Sequence, residues 1–106
     1  MRAQLTPYIQ ERVRELAEGK HLPPIQYIRV TRAKTRWGSC SRENHLCFSY
    51  RLAYFLDTPE KRRVIDAVIY HELAHTLEKN HQKPFWNLVI GWMPEYREVV
   101  KMLANY

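Results

Sequence analysis

The segment from Asp57 to Glu78 constrains the fold more than any other part of the sequence. Thr58 stands before Pro59 and Glu60, an order typical of a helix start, because threonine caps free backbone amides and proline fits the first turn. The spacing of apolar residues then predicts a helix from Pro59 to Glu78. This helix has two neighbouring stripes: Ile65, Ile69, Leu73 and Leu77 on one, and Val64, Val68, His71 and His75 on the other.

The second stripe ends in the sequence His71-Glu72-Leu73-Ala74-His75. Residues four apart on a helix lie one turn apart on the same face, so both imidazoles can reach one metal ion. Glu72 is rotated by about a hundred degrees from His71, which lets it approach a metal-bound water. This pattern predicts two zinc ligands, His71 and His75, with Glu72 as the general base. The alternative is a pair of ordinary surface histidines, but the stripe turns them inward, where unpartnered imidazoles are costly.

A catalytic zinc usually takes three protein ligands and leaves one position for water. Three residues are candidates for the third ligand: Glu78, His81 and Glu95. Glu78 would crowd the ion from the same helix, and Glu95 is expected in a first helical turn without any metal. We therefore favour His81, with Asn80 turning the chain in the left-handed conformation that asparagine tolerates.

The remaining sequence predicts an α+β fold in a single domain spanning residues 1–106. We expect a helix over residues 5–17, for which Thr6-Pro7 resembles a start and an earlier start is the alternative, then strands over 25–31 and 46–50. Pro84 and Pro94 each mark the start of a further helix, with Gly91 between the two. The two strands predict a small antiparallel sheet packed against the helix of residues 59–78, with the further helices following it.

The chain has 17 Lys and Arg against 11 Asp and Glu, a formal net charge of +6. Five of the basic residues, and no acidic one, fall between Arg29 and Arg42, which makes residues 29–42 a basic strip able to face nucleic acid or a nucleotide. No apolar run approaches the roughly 20 residues of a membrane span. The two cysteines and the absence of a signal-like stretch predict a cytoplasmic protein with free thiols.

Three segments together resemble the YgjP-like metallopeptidase family, and more distantly the SprT-like proteases. They are Thr35 to Ser41 (TRWGSCS), His71 to His75 (HELAH) and Asn80 to Trp86 (NHQKPFW). The resemblance extends from about residue 20 to the end. It implies a minimal zincin-like domain with one zinc per chain at His71, His75 and His81, and Glu72 as the catalytic base.

The main functional hypothesis is therefore a zinc-dependent peptidase acting on a peptide or protein, with the strand from Leu46 to Tyr50 bordering the cleft so that an extended substrate pairs with its edge. One alternative is a metal-dependent hydrolase of a nucleotide or phosphate ester, suggested by the basic strip. Another is a nucleic-acid-binding module with a structural zinc, which Cys40 would complete as a fourth ligand. The sequence leaves the physiological substrate, latency and oligomeric state open.

Several other residues have two interpretations. Arg36 either binds an anionic group near the metal or pairs with Asp66 or Glu78. Trp37 is expected to be a packing residue, Gly38 a tight bend, and Cys40 and Cys47 could face each other across a hairpin. An oxyanion could be stabilised by any of four tyrosines: Tyr50, Tyr54, Tyr70 and Tyr96.

Overall fold

The computed structural model describes residues 2–105. The chain begins with helix α1 (Arg2–Ala17) and continues with strands β1 (Tyr27–Thr31), β2 (Gly38–Cys40) and β3 (His45–Ser49). A 3-10 helix (Tyr50–Phe55) leads to α2 (Pro59–His75), which is followed by α3 (Lys83–Trp92), α4 (Tyr96–Val99) and a C-terminal 3-10 helix (Val100–Asn105). Within the described residues no helix has the length and hydropathy needed to cross a membrane.

The sheet is mixed, with strand order β1–β3–β2. The two predicted strands correspond to β1 and β3, which pair in parallel, so the predicted antiparallel pairing is wrong. The antiparallel pair is β2 with β3, and β2 was not predicted as a separate strand. The reason lies in the connection: the loop of residues 32–37 carries the chain past the position of β3, and the hairpin then inserts β3 between its neighbours. Because β3 is central, its two edges are occupied, and it cannot offer one to a substrate.

The β2–β3 hairpin turns through Ser41 to Asn44, and Asn44 has a positive φ of 64°. In its register Cys40 lies opposite Leu46, and Ser39 lies opposite Cys47. Side chains alternate between the two faces of a sheet, so Cys40 and Cys47 lie on different faces. The expectation that the two thiols face each other is therefore wrong, and both cysteines are free.

The sheet packs through one face against α1 and α2. Leu46 and Phe48 of β3 are fully buried there, and α1 adds four buried side chains at the predicted helical spacing: Leu5, Ile9, Val13 and Leu16. Helix α1 begins at Arg2 and includes Pro7, so the earlier start is right and Thr6-Pro7 does not begin the helix. Pro7 has no backbone N–H and so removes one hydrogen bond within the helix. The free energy gained by burying the apolar stripe offsets this loss.

The boundaries of the later helices differ from the predicted ones. Helix α2 starts as predicted, with the Thr58 side chain accepting from the amide of Lys61, but it ends at His75 rather than Glu78. Gly91 lies inside α3, and the break comes at buried Met93, whose backbone has left the helical region (φ −139°, ψ 89°). Met93 precedes Pro94, and a residue before proline is pushed out of the helical region.

Candidate metal centre

Helix α2 holds His71 and His75 one turn apart, and the loop between α2 and α3 brings His81 to them. The Nε2 atom of His81 lies 3.1 Å from Nε2 of His75 and 3.2 Å from Nε2 of His71. Potential ligand atoms of all three residues lie within 4.8 Å of one another. In the part of the chain that the structure describes, no other group of three His, Cys, Asp or Glu side chains is this close.

The spacing of these nitrogens fits a zinc ion. With Zn–N distances of about 2.0–2.1 Å and tetrahedral angles, two ligand nitrogens are about 3.3 Å apart. The outer ring nitrogens have partners: Nδ1 of His71 lies 2.9 Å from the hydroxyl of Tyr96, and Nδ1 of His75 lies 2.8 Å from the carbonyl of Glu78. When each Nδ1–H donates to that oxygen, each Nε2 keeps its lone pair for a metal.

Burial keeps the rings of His71 and His75 in the neutral form that binds metals. Burial first, and then the neighbouring charges of His75 and His81, lower the pKa of His71 to about 4. Burial also lowers the pKa of His75. Phe85 packs against His75 with its ring centroid 4.3 Å away and nearly parallel, so an apolar wall from α3 supports the cluster.

His81 reaches the cluster by a different turn from the one expected. The described non-glycine residues with positive φ are His21 and Asn44, so Asn80 does not take the left-handed conformation. Instead its side-chain oxygen accepts a hydrogen bond from the amide of Gln82 at 3.1 Å. This is the local side-chain turn typical of asparagine, and Pro84 then lies in the first turn of α3.

Glu72 lies beside the histidines and is only 4% exposed. Burial raises its pKa to about 8, and the positive charge of Arg36 opposes that rise. Strand β2 causes much of this burial because Gly38 passes directly over the carboxyl group. A Cβ atom on Gly38 would lie 3.0 Å from Oε2 of Glu72 and 3.1 Å from Cγ1 of Val68.

The competing ligand candidates lie elsewhere. Glu95 forms an ion pair with Arg63, and Glu78 contributes its backbone carbonyl to His75 rather than a carboxylate to the cluster. Cys40 is outside the histidine cluster: its Sγ lies 3.8 Å from Asn44 Oδ1 and 3.8 Å from Lys79 Nζ. The structure therefore brings His81, and neither glutamate nor the cysteine, to His71 and His75.

Arg36 is exposed and lines a pocket with Ser39 and Ser49, separate from the pocket that contains Glu72 and His71. Its charge nevertheless acts on Glu72. The expected pairing with Asp66 is wrong, because Arg12 binds that carboxylate through two nitrogens at 2.8 and 2.9 Å.

Two residues of the basic strip, Trp37 and Arg29, contact aromatic or cationic side chains, and the sequence did not identify these partners. Trp37 packs edge-on against Phe55 and carries the guanidinium of Arg51 over its ring at 4.4 Å, so the packing role is right. The guanidinium of Arg29 lies over Tyr27. Gly38 is not at a tight bend: it lies in strand β2, where the backbone passes close to Glu72. All five basic residues of the strip are exposed: Arg29, Arg32, Lys34, Arg36 and Arg42.

Sequence reasoning did not choose among the tyrosines. The structure brings Tyr96 to His71, 25 positions away along the chain, and buries it. Burial, with the charge of Glu72, raises the pKa of Tyr96 to about 12, so its hydroxyl keeps its proton at neutral pH. No local pattern marks Tyr96, because the contact depends on how α4 packs against α2.

The arrangement is typical of one class of protein. A helix that carries two histidines one turn apart, a buried glutamate between them and a third histidine from the next loop indicates a metal-dependent peptidase. A family model described as "YgjP-like, metallopeptidase domain" matches residues 1–106, so the chain belongs to the YgjP-like family. The resemblance seen in the sequence is thereby confirmed. No curated protein and no solved structure matches the chain.

Proposed function

We propose that this chain is a zinc-dependent peptidase in which His71, His75 and His81 hold one zinc ion and Glu72 is the general base. The observation that carries the proposal is the convergence of three imidazoles beside a buried carboxyl group, with Nε2 of His81 3.1 Å from that of His75 and 3.2 Å from that of His71. A bound zinc polarises the scissile carbonyl and lowers the pKa of its water toward neutrality.

Glu72 supplies the proton transfers. Its carboxylate accepts a proton from the attacking water and passes that proton to the leaving amine. In the metal-free chain burial raises the pKa of Glu72 to about 8, so the carboxyl group can hold a proton near neutral pH, as delivery of that proton to the amine requires. Among the surrounding groups, Arg36 provides an opposing charge that favours the ionised form.

Tyr96 and the carbonyl of Glu78 position the ligands. Each accepts the Nδ1–H of one histidine, which fixes the ring orientation and directs Nε2 to the ion. Tyr96 also lines the pocket beside Glu72, so its hydroxyl is the best placed of the four tyrosines to meet a developing oxyanion.

Strand β2, rather than β3, is the edge that an extended peptide would pair with. The amide of Ser49 donates to the carbonyl of Trp37, and the amide of Ser41 donates to the carbonyl of His45. Because bonded positions alternate in an antiparallel pair, the backbone groups of Gly38 and Cys40 point away from β3. Gly38 lies over Glu72, so a peptide paired there passes the reacting groups.

Two details complete the proposal. Arg36, exposed near the outer end of β2, would bind an anionic group of the substrate. The free thiols of Cys40 and Cys47 are those expected of a cytoplasmic protein.

The test compares casein cleavage and nucleoside triphosphate hydrolysis on the same zinc-loaded preparations. Glu72→Gln should keep about one zinc per chain and lose casein cleavage by at least about 100-fold. His71→Ala should lose the zinc, and Glu95→Gln, at an ion pair away from the cluster, is the matched control that should keep both zinc and activity.

Three results would contradict the proposal. Full casein cleavage by Glu72→Gln would show that Glu72 is not the general base. Normal zinc content in His71→Ala would show that the zinc is not bound at this site. Triphosphate hydrolysis that depends on Glu72, without casein cleavage, would favour the nucleotide hydrolase instead. Sulfur in the first coordination shell, seen by X-ray absorption, would favour a structural zinc completed by Cys40.

A further inference from the structure

A pocket of about 200 Å³ opens beside Glu72 and His71, between α2, β2 and the C-terminal 3-10 helix. Apart from Gly38, Tyr96 and these two reactive-site residues, its walls are apolar side chains: Trp37, Val68, Val100 and Leu103. A cavity of about 150 Å³ is enough to hold benzene, so this pocket has room for a branched aliphatic or aromatic side chain.

The walls are held in place before any ligand binds. Trp37 is fixed between the edge contact with Phe55 and the guanidinium of Arg51. Val68 is only 5% exposed on α2, and the hydroxyl of Tyr96 is engaged by His71. Since no wall residue outside the reacting groups carries a charge, a charged side chain entering here would lose hydration without gaining a partner on the wall.

We infer that this pocket selects a large apolar side chain on the substrate residue that follows the scissile bond. The inference rests on the proposed function. Glu72 delivers its proton to the leaving nitrogen, which is the backbone nitrogen of the residue after the scissile bond. Glu72 therefore faces that residue. The side chain of the same residue is therefore the one that reaches a pocket lined by Glu72.

The first experiment measures kcat/KM of the zinc-loaded protein on peptides that differ only at this position, with Leu, Phe, Ala, Asp or Lys. Each buried methylene contributes a factor of about four, so Leu should exceed Ala by up to about 60-fold. Asp and Lys should be cleaved at least as poorly as Ala. Equal rates for Leu, Ala and Lys would overturn the inference while leaving the peptidase function intact.

Two variants change the pocket in opposite directions. Leu103→Ala enlarges it and should shift the preference from Leu toward Phe, whereas Val100→Phe narrows it and should shift the preference toward Ala. Met102→Ala lies on the same 3-10 helix but outside the pocket lining, and should keep the preference of the unmodified chain. A shift shared by Met102→Ala would mean a general loosening of the helix and would overturn the inference.

A binding readout separates this inference from the proposed function. Zinc-loaded Glu72→Gln is titrated with the Leu and Ala peptides while the backbone amide signals of Val100 and Leu103 are followed by NMR. Shifts at these residues that need at least tenfold less Leu peptide than Ala peptide support the pocket even if no peptide is cleaved. If neither peptide shifts these signals, the inference about the pocket is overturned, even when the unmodified chain cleaves the peptides.

Discussion

Replacing Gly38 by alanine tests how β2 controls the catalytic carboxyl group. The added Cβ would lie 3.0 Å from Oε2 and 3.1 Å from Cγ of Glu72, and 3.1 Å from Cγ1 of Val68. Ordinary contacts of a Cβ atom begin at 3.4 Å, so Glu72, Val68 or the strand must move by a few tenths of an ångström. Overpacking of this kind costs roughly 1–3 kcal/mol of folding stability.

The effect on activity should be larger than the effect on metal binding. The three atoms nearest to the new methyl group belong to Glu72 and Val68 rather than to a histidine, so zinc affinity should change by less than about threefold. A carboxylate moved by a few tenths of an ångström transfers protons less well, and we expect kcat to fall by at least tenfold, within the roughly 10²–10⁴-fold that acid–base catalysis contributes. The measurements are peptide cleavage per folded molecule, zinc titration and thermal unfolding.

Two controls make this prediction specific. Gly91→Ala introduces the same change at an exposed position of α3 with nothing within 4 Å, and should keep full activity while stabilising the helix by up to about 1 kcal/mol. In a Glu72→Gln background, Gly38→Ala should have almost no further effect on kcat, because groups that act as a unit are not additive. A Gly38→Ala protein with the kcat of the unmodified chain would refute the reasoning.

Three further predictions follow from the site. His81→Ala should weaken zinc binding sharply in a chelator competition, whereas Glu95→Ala should not; the reverse order would show a site of two histidines and one glutamate. Tyr96→Phe should lower zinc affinity or activity by about 10–100-fold through loss of the partner of His71, and an unchanged zinc affinity and rate would remove Tyr96 from that role. In the metal-free protein, Glu72 keeps its proton to about pH 8 when folded but loses it near 4.5 when unfolded. The pKa values of His71 and His75 are lowered from 6.5, so these two groups change the folding stability mainly below pH 6.5. Folding stability should therefore fall between pH 6.5 and 8, by at most about 1.4 kcal/mol per pH unit, and a slope retained in Glu72→Gln would contradict this.

The parts of the site that lie within a few residues of one another follow from local chain geometry and were therefore predictable. His71, Glu72 and His75 take their relative positions from helical geometry, and the Thr58 cap and Pro59 locate the start of that helix. The position of His81 could also be predicted from the sequence, because its loop is short and Pro84 lies in the first turn of the next helix. Even there, the detail of the Asn80 turn was wrong, since a side-chain hydrogen bond and a left-handed backbone both turn the chain.

The contacts between distant segments depend on tertiary packing and could not be predicted. The insertion of β3 between β1 and β2 depends on which edge the hairpin reaches, and alternating apolar residues do not encode that choice. The approach of Gly38 to Glu72 and the hydrogen bond from His71 to Tyr96 join residues 34 and 25 positions apart. Such contacts arise from the packing of whole elements, whose energy is spread over many side chains, so no short motif records them.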